Sequence, residues 1–351
     1  MPDAAFGARI APVGPSSYGH QCLVRTQRSL ANAYRALWTT RCGLPRAPAC
    51  SGGMNVVQHM YRLGGVADRA TIIALTSRKE FDRAVRTGEV VRDGYGRYAV
   101  PVADQALRAA NAVSAVVSHR SAALHHGWEL KTVPALPELT APKGRTFSPA
   151  LRAGIDLHRT DLGPDDVEGR TTSIARTLVD CMRSLPFDEA LAVADSALRH
   201  ESISPSALLA LAAGVQGPGA RQCRRVAREA SGDAANPFES VLRAISLDVP
   251  GICLVPQLEI RAPSFSVRPD LVDRQHRIVA EADSFAWHGD RQALRADCQR
   301  YTNLVVRGWI VVRYSWEDVM HDPAYVRRTL IALAGIVAER TNRPGSRRIP
   351  A

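Results

Sequence analysis

Four carboxylates in the last third of the chain have the types and spacing to hold a divalent cation. They are Glu239 in Phe238-Glu239-Ser240, Asp270 in Arg268-Pro269-Asp270-Leu271-Val272, and Glu281 and Asp283 in Ala280-Glu281-Ala282-Asp283. Carboxylates held a few ångströms apart repel one another unless a proton or a cation sits between them. Mg²⁺ bound through one or two carboxylates plus substrate phosphate oxygens is the usual arrangement. Such an ion lowers the pKa of a bound water and stabilises the leaving oxygen of a phosphodiester. Taken singly, each acid reads as a solvated strand-end residue; the ordered set is what points to metal-dependent phosphodiester hydrolysis.

The elements that must position these acids can be read from local pattern. Glu239 rides near the start of a helix that opens around Asn236. Val267 to Val272 and Arg277 to Ala282 are β-like runs separated by the polar Asp273-Arg274-Gln275-His276, which predicts a tight hairpin. With a loop of two or four residues, Asp270 lies opposite Val279 and Glu281 is its diagonal neighbour on the same sheet face. Beyond the acids, 290–306 predicts a helix with Tyr301, Leu304 and Val305 inward, and Trp309 to Tyr314 a buried strand. Trp316 to Val319 reads as a closing turn, Pro323 to Ala338 as an amphipathic helix, and the polar segment from Glu339 as a disordered tail.

Glu239, Pro269-Asp270 and Glu281-x-Asp283 resemble the PD-(D/E)XK nuclease core. The run Glu281-Ala-Asp283-Ser-Phe-Ala-Trp-His288, then Asp297-Cys-Gln-Arg300 and Gly308-Trp309-Ile-Val-Val-Arg313, is similar to an uncharacterised actinobacterial domain related to very-short-patch-repair endonucleases. The resemblance covers 236–338. It implies Asp270 and Glu281 as metal ligands, Glu239 as a supporting acid on a helix, and His288 as a base or phosphate contact. It also implies Asp297 and Arg300 on the following helix near the site. The chain departs from the motif at Asp283, which stands in the place of the motif lysine and supplies no positive charge; very-short-patch endonucleases lack that lysine too.

The front of the chain has a different texture. Asn55 to Leu63 predicts a helix closed by Gly64-Gly65, and Asp68 to Leu75 a second with Ile72 and Leu75 inward. Ser77-Arg78-Lys79-Glu80 is a capping box opening a third helix that ends before Gly88. Glu89 to Arg92, the turn pair Asp93-Gly94, and Tyr95 to Val100 predict a β-hairpin. Three helices and a hairpin make a winged helix-turn-helix over 54–105. In the third helix Phe81, Ala84 and Val85 turn inward. Arg78, Lys79, Arg83 and Arg86 are left outside to reach phosphates and base edges, with Arg92 and Arg97 on the wing. This stretch resembles the N-terminal domain of AbiEi-type antitoxins, which implies DNA binding and repression of a toxin–antitoxin operon.

Region 106–219 reads as mainly helical, in an order that also resembles AbiEi-like proteins. Ser118 to Gly127 predicts a capped helix ending at glycine, 151–159 contains a strand, and helices follow from Thr171, over Phe187 to Arg199, and over Pro205 to Ala213. His119, His125 and His126 lack the acid or cysteine that metal-ligand spacing would need. Ser118 and Ser173 read as helix caps. The arginine-rich 220–235 is either a linker or a basic helix.

Composition fits this multidomain, α+β reading. The 351 residues are 46% hydrophobic, and 45 Lys plus Arg against 34 Asp plus Glu leave a formal charge of +11, nearly all arginine. Arginine favours bidentate phosphate contacts, and an excess of it steers a chain toward polyanions such as DNA. Seven cysteines without a C-x-x-C pair argue against a disulfide framework and a zinc site, and for the reducing cytoplasm. No apolar run is long enough to span a bilayer, so no membrane partner is expected. Residues 1–53, Arg-rich with Asp3 as their single acid, read as a disordered tail or as sequence preceding a true start at Met54. The first functional expectation is a DNA-binding, Mg²⁺-dependent endonuclease. The alternative is an antitoxin-like repressor with an inert nuclease-like domain, whose front half contacts DNA or a cognate toxin protein.

Overall fold

The computed structural model describes residues 54–263, 265–283 and 291–342, and His288 and residues 1–53 lie outside them. The chain is mixed α/β with several sheets. The described residues belong to one unit that begins at Met54.

The front section runs α1 (Val56–Arg62), β1 (Val66–Asp68), α2 (Arg69–Leu75), α3 (Arg78–Arg86), β2 (Val91–Gly94) and β3 (Arg97–Ala99). Caps set the helix starts: Asn55, Asp68 and Ser77 each accept a backbone N–H from the first turn that follows. The strands pair antiparallel in the order β1-β3-β2, and Val56, Met60, Ile72, Phe81 and Ala84 close a small core. Leu75, expected inside, is 45% exposed. The wing turn also differs from expectation. Gly94 stays within β2, packed against the Ala112 backbone, and Gly96 takes the left-handed φ of +67° instead. The turn therefore moves to Tyr95-Gly96, leaving Tyr95 94% exposed at its tip.

Next come α4 (Gln105–Val113), β4 (Val116–Val117), α5 (His119–His125), β5 (Glu138–Ala141), α6 (Pro149–Arg152), β6 (Asp156–Arg159), β7 (Val167–Glu168) and β8 (Thr171–Thr172). The strands form a mixed sheet ordered β6-β5-β4-β8-β7. Helices still outweigh strands over 106–219, but the sheet goes beyond the single strand expected within 151–159: strands of two to four residues are too short to show an alternating pattern in sequence. The sheet and α4 share a core with β1 and β3 through Val66, Ala99, Leu107, Val117 and Leu139.

A helical layer follows: α7 (Ile174–Ser184), α8 (Phe187–Arg199), α9 (Pro205–Gly214) and α10 (Ala220–Glu229). In α10, Ala220, Cys223, Val226 and Ala227 face the core, so the arginine-rich stretch is a packed amphipathic helix and not a linker. Every residue of α8 from Ala190 to Leu198 is buried, because α7 and α10 cover one side and the next helix, α11 (Pro237–Ser246), covers another.

The C-terminal section holds β9 (Val255–Pro256), β10 (Ile260–Ala262), β11 (Phe265–Val267), β12 (Leu271–Asp273), β13 (Ile278–Asp283), α12 (Arg291–Val306), β14 (Ile310–Ser315), α13 (Trp316–His321) and α14 (Pro323–Asn342). One sheet is ordered β14-β13-β12-β9, with β13 and β14 parallel across the α12 crossover; β10 and β11 form a separate hairpin. Strand alternation divides the faces. Leu271, Ile278 and Ala280 pack on α11, α13 and α14, whereas Val272 and Val279 pack toward Leu304 of α12. Val305, expected inward, is 56% exposed. Trp316 opens a helix where a turn was expected, and α14 runs through Glu339 to Asn342, beyond the expected start of the tail.

Candidate acid site and basic helix

The β12–β13 hairpin sets the site. Leu271 pairs with Ala280, Val272 with Val279 and Asp273 with Ile278. At the turn β12 therefore runs one residue further than the sequence implied, to Asp273, and β13 starts one residue later, at Ile278. Asp273 joins β12 because its carboxylate accepts the Cys253 N–H at 2.8 Å and the His276 N–H at 3.0 Å, closing a four-residue turn over 274–277. The register differs by two from the expected one, which preserves the face but places Asp270 directly across from Glu281, no longer diagonal to it. The Ala282 N–H donates to Asp270 Oδ2 at 2.8 Å and holds that carboxylate beside Glu281.

Glu281 is 4% exposed. Burial raises its pKa well above the ordinary carboxylate range and the neighbouring Asp270 charge adds to the rise; burial also raises Asp270. Glu281 is buried and Asp270 half-buried, and the nearby Arg300 charge does not offset the hydration that the pair has lost. Glu281 Oε1 is buried without a hydrogen-bond partner among the described residues. This pair fits a hard divalent cation held through carboxylate oxygens.

Glu239 lies in the first turn of α11, and its carboxylate is already engaged. Asn236 Nδ2 donates to Oε1 at 2.8 Å, and the Ala235 N–H and Gln257 Nε2 each donate to Oε2 at 2.9 Å. Burial raises its pKa, and Asp270 contributes to the rise. The link between Glu239 and the hairpin is Gln257, whose Nε2 also reaches Asp270 Oδ1 at 3.4 Å and whose backbone N–H donates to the Asp270 carbonyl at 2.9 Å. Gln257 has a φ of +52°, a left-handed conformation that aims its amide between the two acids. Sequence reasoning missed it; a lone glutamine just past a two-residue strand carries no periodic signal.

Arg300, on α12, brings Nη1 to 3.4 Å from Glu281 Oε1, and Asp297 contacts Arg300 at 3.5 Å without reaching the acids. Asp283 pairs with Arg313 of β14. The predicted acids thus split: Asp270 and Glu281 face each other, Glu239 joins through Gln257, and Asp283 is drawn aside. Among the described residues, the group of three donors with ligand atoms all within 4.8 Å of one another lies elsewhere, at Glu138, Asp156 and His158. There Glu138 already accepts from Arg120 Nε at 2.8 Å and from the Arg120 N–H at 2.6 Å.

The histidines behave as structural groups. His119 stacks on His158 with centroids 3.5 Å apart, and burial drives its pKa down to about 3. His126 Nε2 lies 2.9 Å from the Thr172 carbonyl. Ser173 caps α7, with Oγ accepting the Arg176 N–H at 3.4 Å. Ser118, expected to cap α5, makes no side-chain cap bond. Its hydroxyl instead accepts from Thr140 Oγ1 at 2.8 Å and meets His119 Nδ1 at 3.0 Å.

On the front section, Arg78, Lys79, Arg83 and Arg86 are exposed along α3, and Arg92 is exposed on the wing beside Tyr95, 5.8 Å from its ring centroid. Arg97 departs from this row: it is half-buried and its Nη1 lies 3.6 Å from Asp68 Oδ2. Asp82 tempers the row, sitting 3.7 Å from both Arg78 and Arg69. No helix among the described residues is long and apolar enough to cross a membrane. No family model matches the chain, and no curated protein matches it.

Proposed function

We propose that the chain is a DNA-binding protein whose C-terminal α/β section hydrolyses phosphodiesters with a divalent cation. The observation that carries this reading is the Asp270–Glu281 pair, a half-buried and a buried acid placed across one hairpin, both with raised pKa. Asp270 and Glu281 would hold the ion, Mg²⁺ by the hardness of its oxygen donors, and Glu239 with Gln257 would orient Asp270. When bound, the ion would supply Lewis acidity to water and phosphate. The helix–strand–helix–helix–hairpin order of the front section, with sheet order β1-β3-β2, supports a winged helix-turn-helix reading. In that reading α3 presents Arg78, Lys79, Arg83 and Arg86 to the duplex.

A second reading, an antitoxin-like repressor with an inert nuclease-like section and a DNA or toxin-protein partner, is favoured by one contact. Asp283 occupies the motif-lysine position and is tied to Arg313. Cleavage of supercoiled plasmid and short duplexes in Mg²⁺ or Mn²⁺ separates the two readings. Hydrolysis by the wild type, reduced roughly a hundredfold or more in Asp270→Ala and Glu281→Ala with duplex binding retained, supports the enzyme. Equal duplex shifts by all three proteins without cutting support the repressor. Arg83→Ala with Arg86→Ala should weaken duplex binding across sequences and flatten its salt dependence.

A further inference from the structure

With Asp283 where a strand-borne lysine would stand, the cationic groups beside the acids come from other elements. Arg300 reaches Glu281 from α12, and Arg313 reaches Asp283 from β14. Their guanidinium carbons lie 4.6 and 4.3 Å from the centroid of the Tyr301 ring, so a single aromatic platform carries both cations next to both acids. Arg313 is committed to Asp283. Arg300 is held more loosely: its 3.4 Å approach to Glu281 is longer than a good charge-assisted hydrogen bond. Its Nε is buried without a hydrogen-bond partner among the described residues. Its other contacts, Asp297 and the Tyr301 hydroxyl, both belong to its own helix.

Resting on the metal-site reading above, we propose that Arg300 is the exchangeable cation of this site. Without a divalent ion it neutralises Glu281. When Asp270 and Glu281 hold an ion, their two negative charges are balanced, and the released guanidinium becomes the contact for a phosphate of the bound nucleic acid. A guanidinium suits both partners, since it matches carboxylate and phosphate in the same fork geometry. The exchange makes ion and polyanion binding cooperative: each removes the group that the other must displace.

The test uses the full chain and Mn²⁺ alone, followed by affinity for a short duplex in Ca²⁺ and in EDTA. Arg300→Gln should bind Mn²⁺ roughly tenfold more tightly than the wild type, with Arg300→Lys between them. Ca²⁺ should tighten duplex binding by the wild type roughly fivefold or more, and by Arg300→Gln less than about twofold. Unchanged or weaker Mn²⁺ affinity in Arg300→Gln, with binding lost in Glu281→Gln, overturns the exchange while leaving the metal site standing. If neither the wild type nor Arg300→Gln takes up Mn²⁺, the metal-site reading falls and this inference falls with it. Arg300→Lys keeps a cation at the position, so a folding defect in Arg300→Gln does not decide the matter.

Discussion

Gln257 shows how one side chain can join two elements with no sequence signature. Its amide spans Glu239 of α11 and Asp270 beside β12, and its left-handed backbone is what lets a residue just beyond β9 point there. Gln257→Leu keeps the volume and removes the donor, leaving the buried Glu239 and the half-buried Asp270 each one hydrogen bond short. The expected loss is about 1–3 kcal/mol in urea unfolding, at unchanged m-value. Gln257→Glu places a third carboxylate against the other two. Like charges raise the folded-state pKa of such a group, so its penalty is present at neutral pH and shrinks as pH falls. Gln257→Glu should therefore lose more stability at pH 7 than at pH 5. Midpoints matching the wild type in both variants would show that the bridge has no energetic role. That Asp270 and Glu281 share a sheet face was legible from the chain because a hairpin between two β-like runs brings them together. The amide that joins Asp270 to Glu239 was not, because its role depends on a contact across 18 positions.

At the scale of elements, the clearest sequence signals are caps and breakers. Ser77 with Glu80 opens α3, and Phe187–Arg199 is a helix over the residues its periodicity implied. Turn register was less legible, since two glycines near one turn leave the choice to packing. At the wing, Gly94 meets the Ala112 carbonyl, so an added Cβ would lie 2.7 Å from that backbone oxygen. Gly96 has open space but a φ of +67°. These are different constraints and predict different substitution profiles. Asn tolerates left-handed backbone, so Gly96→Asn should be milder than Gly96→Ala, which costs about 1–2 kcal/mol. At Gly94 both Asn and Ala meet the same carbonyl and should destabilise alike. Thermal melts of the four variants check this, and equal behaviour of Asn and Ala at Gly96 would sink it. The hairpin of the acid site carries the same lesson: the turn at 274–277 was set by the Asp273 carboxylate, which composition marked only as polar.

For the whole molecule, the central joint is the ion pair that pins α11, with its Glu239, onto α8. Asp195 is fully buried, and both its oxygens accept from Arg243 Nη2 at 2.8 Å, while the Ser231 N–H donates to it at the same distance. Burial nonetheless raises the Asp195 pKa, so the attraction of Arg243 does not fully offset the lost hydration. A pair of this kind is costly to break and nearly neutral to replace. Asp195→Ala, which leaves Arg243 buried and uncompensated, should lose about 3–5 kcal/mol. Asp195→Leu with Arg243→Met should recover most of that. Since α11 carries Glu239 on the same helix, the single variant should also weaken Mn²⁺ binding at Asp270 and Glu281, and the double variant should restore it. Calorimetric unfolding together with Mn²⁺ titration of the wild type and both variants decides the point. If Asp195→Ala loses stability yet keeps full Mn²⁺ affinity, the helical layer supports the fold without positioning the acid site.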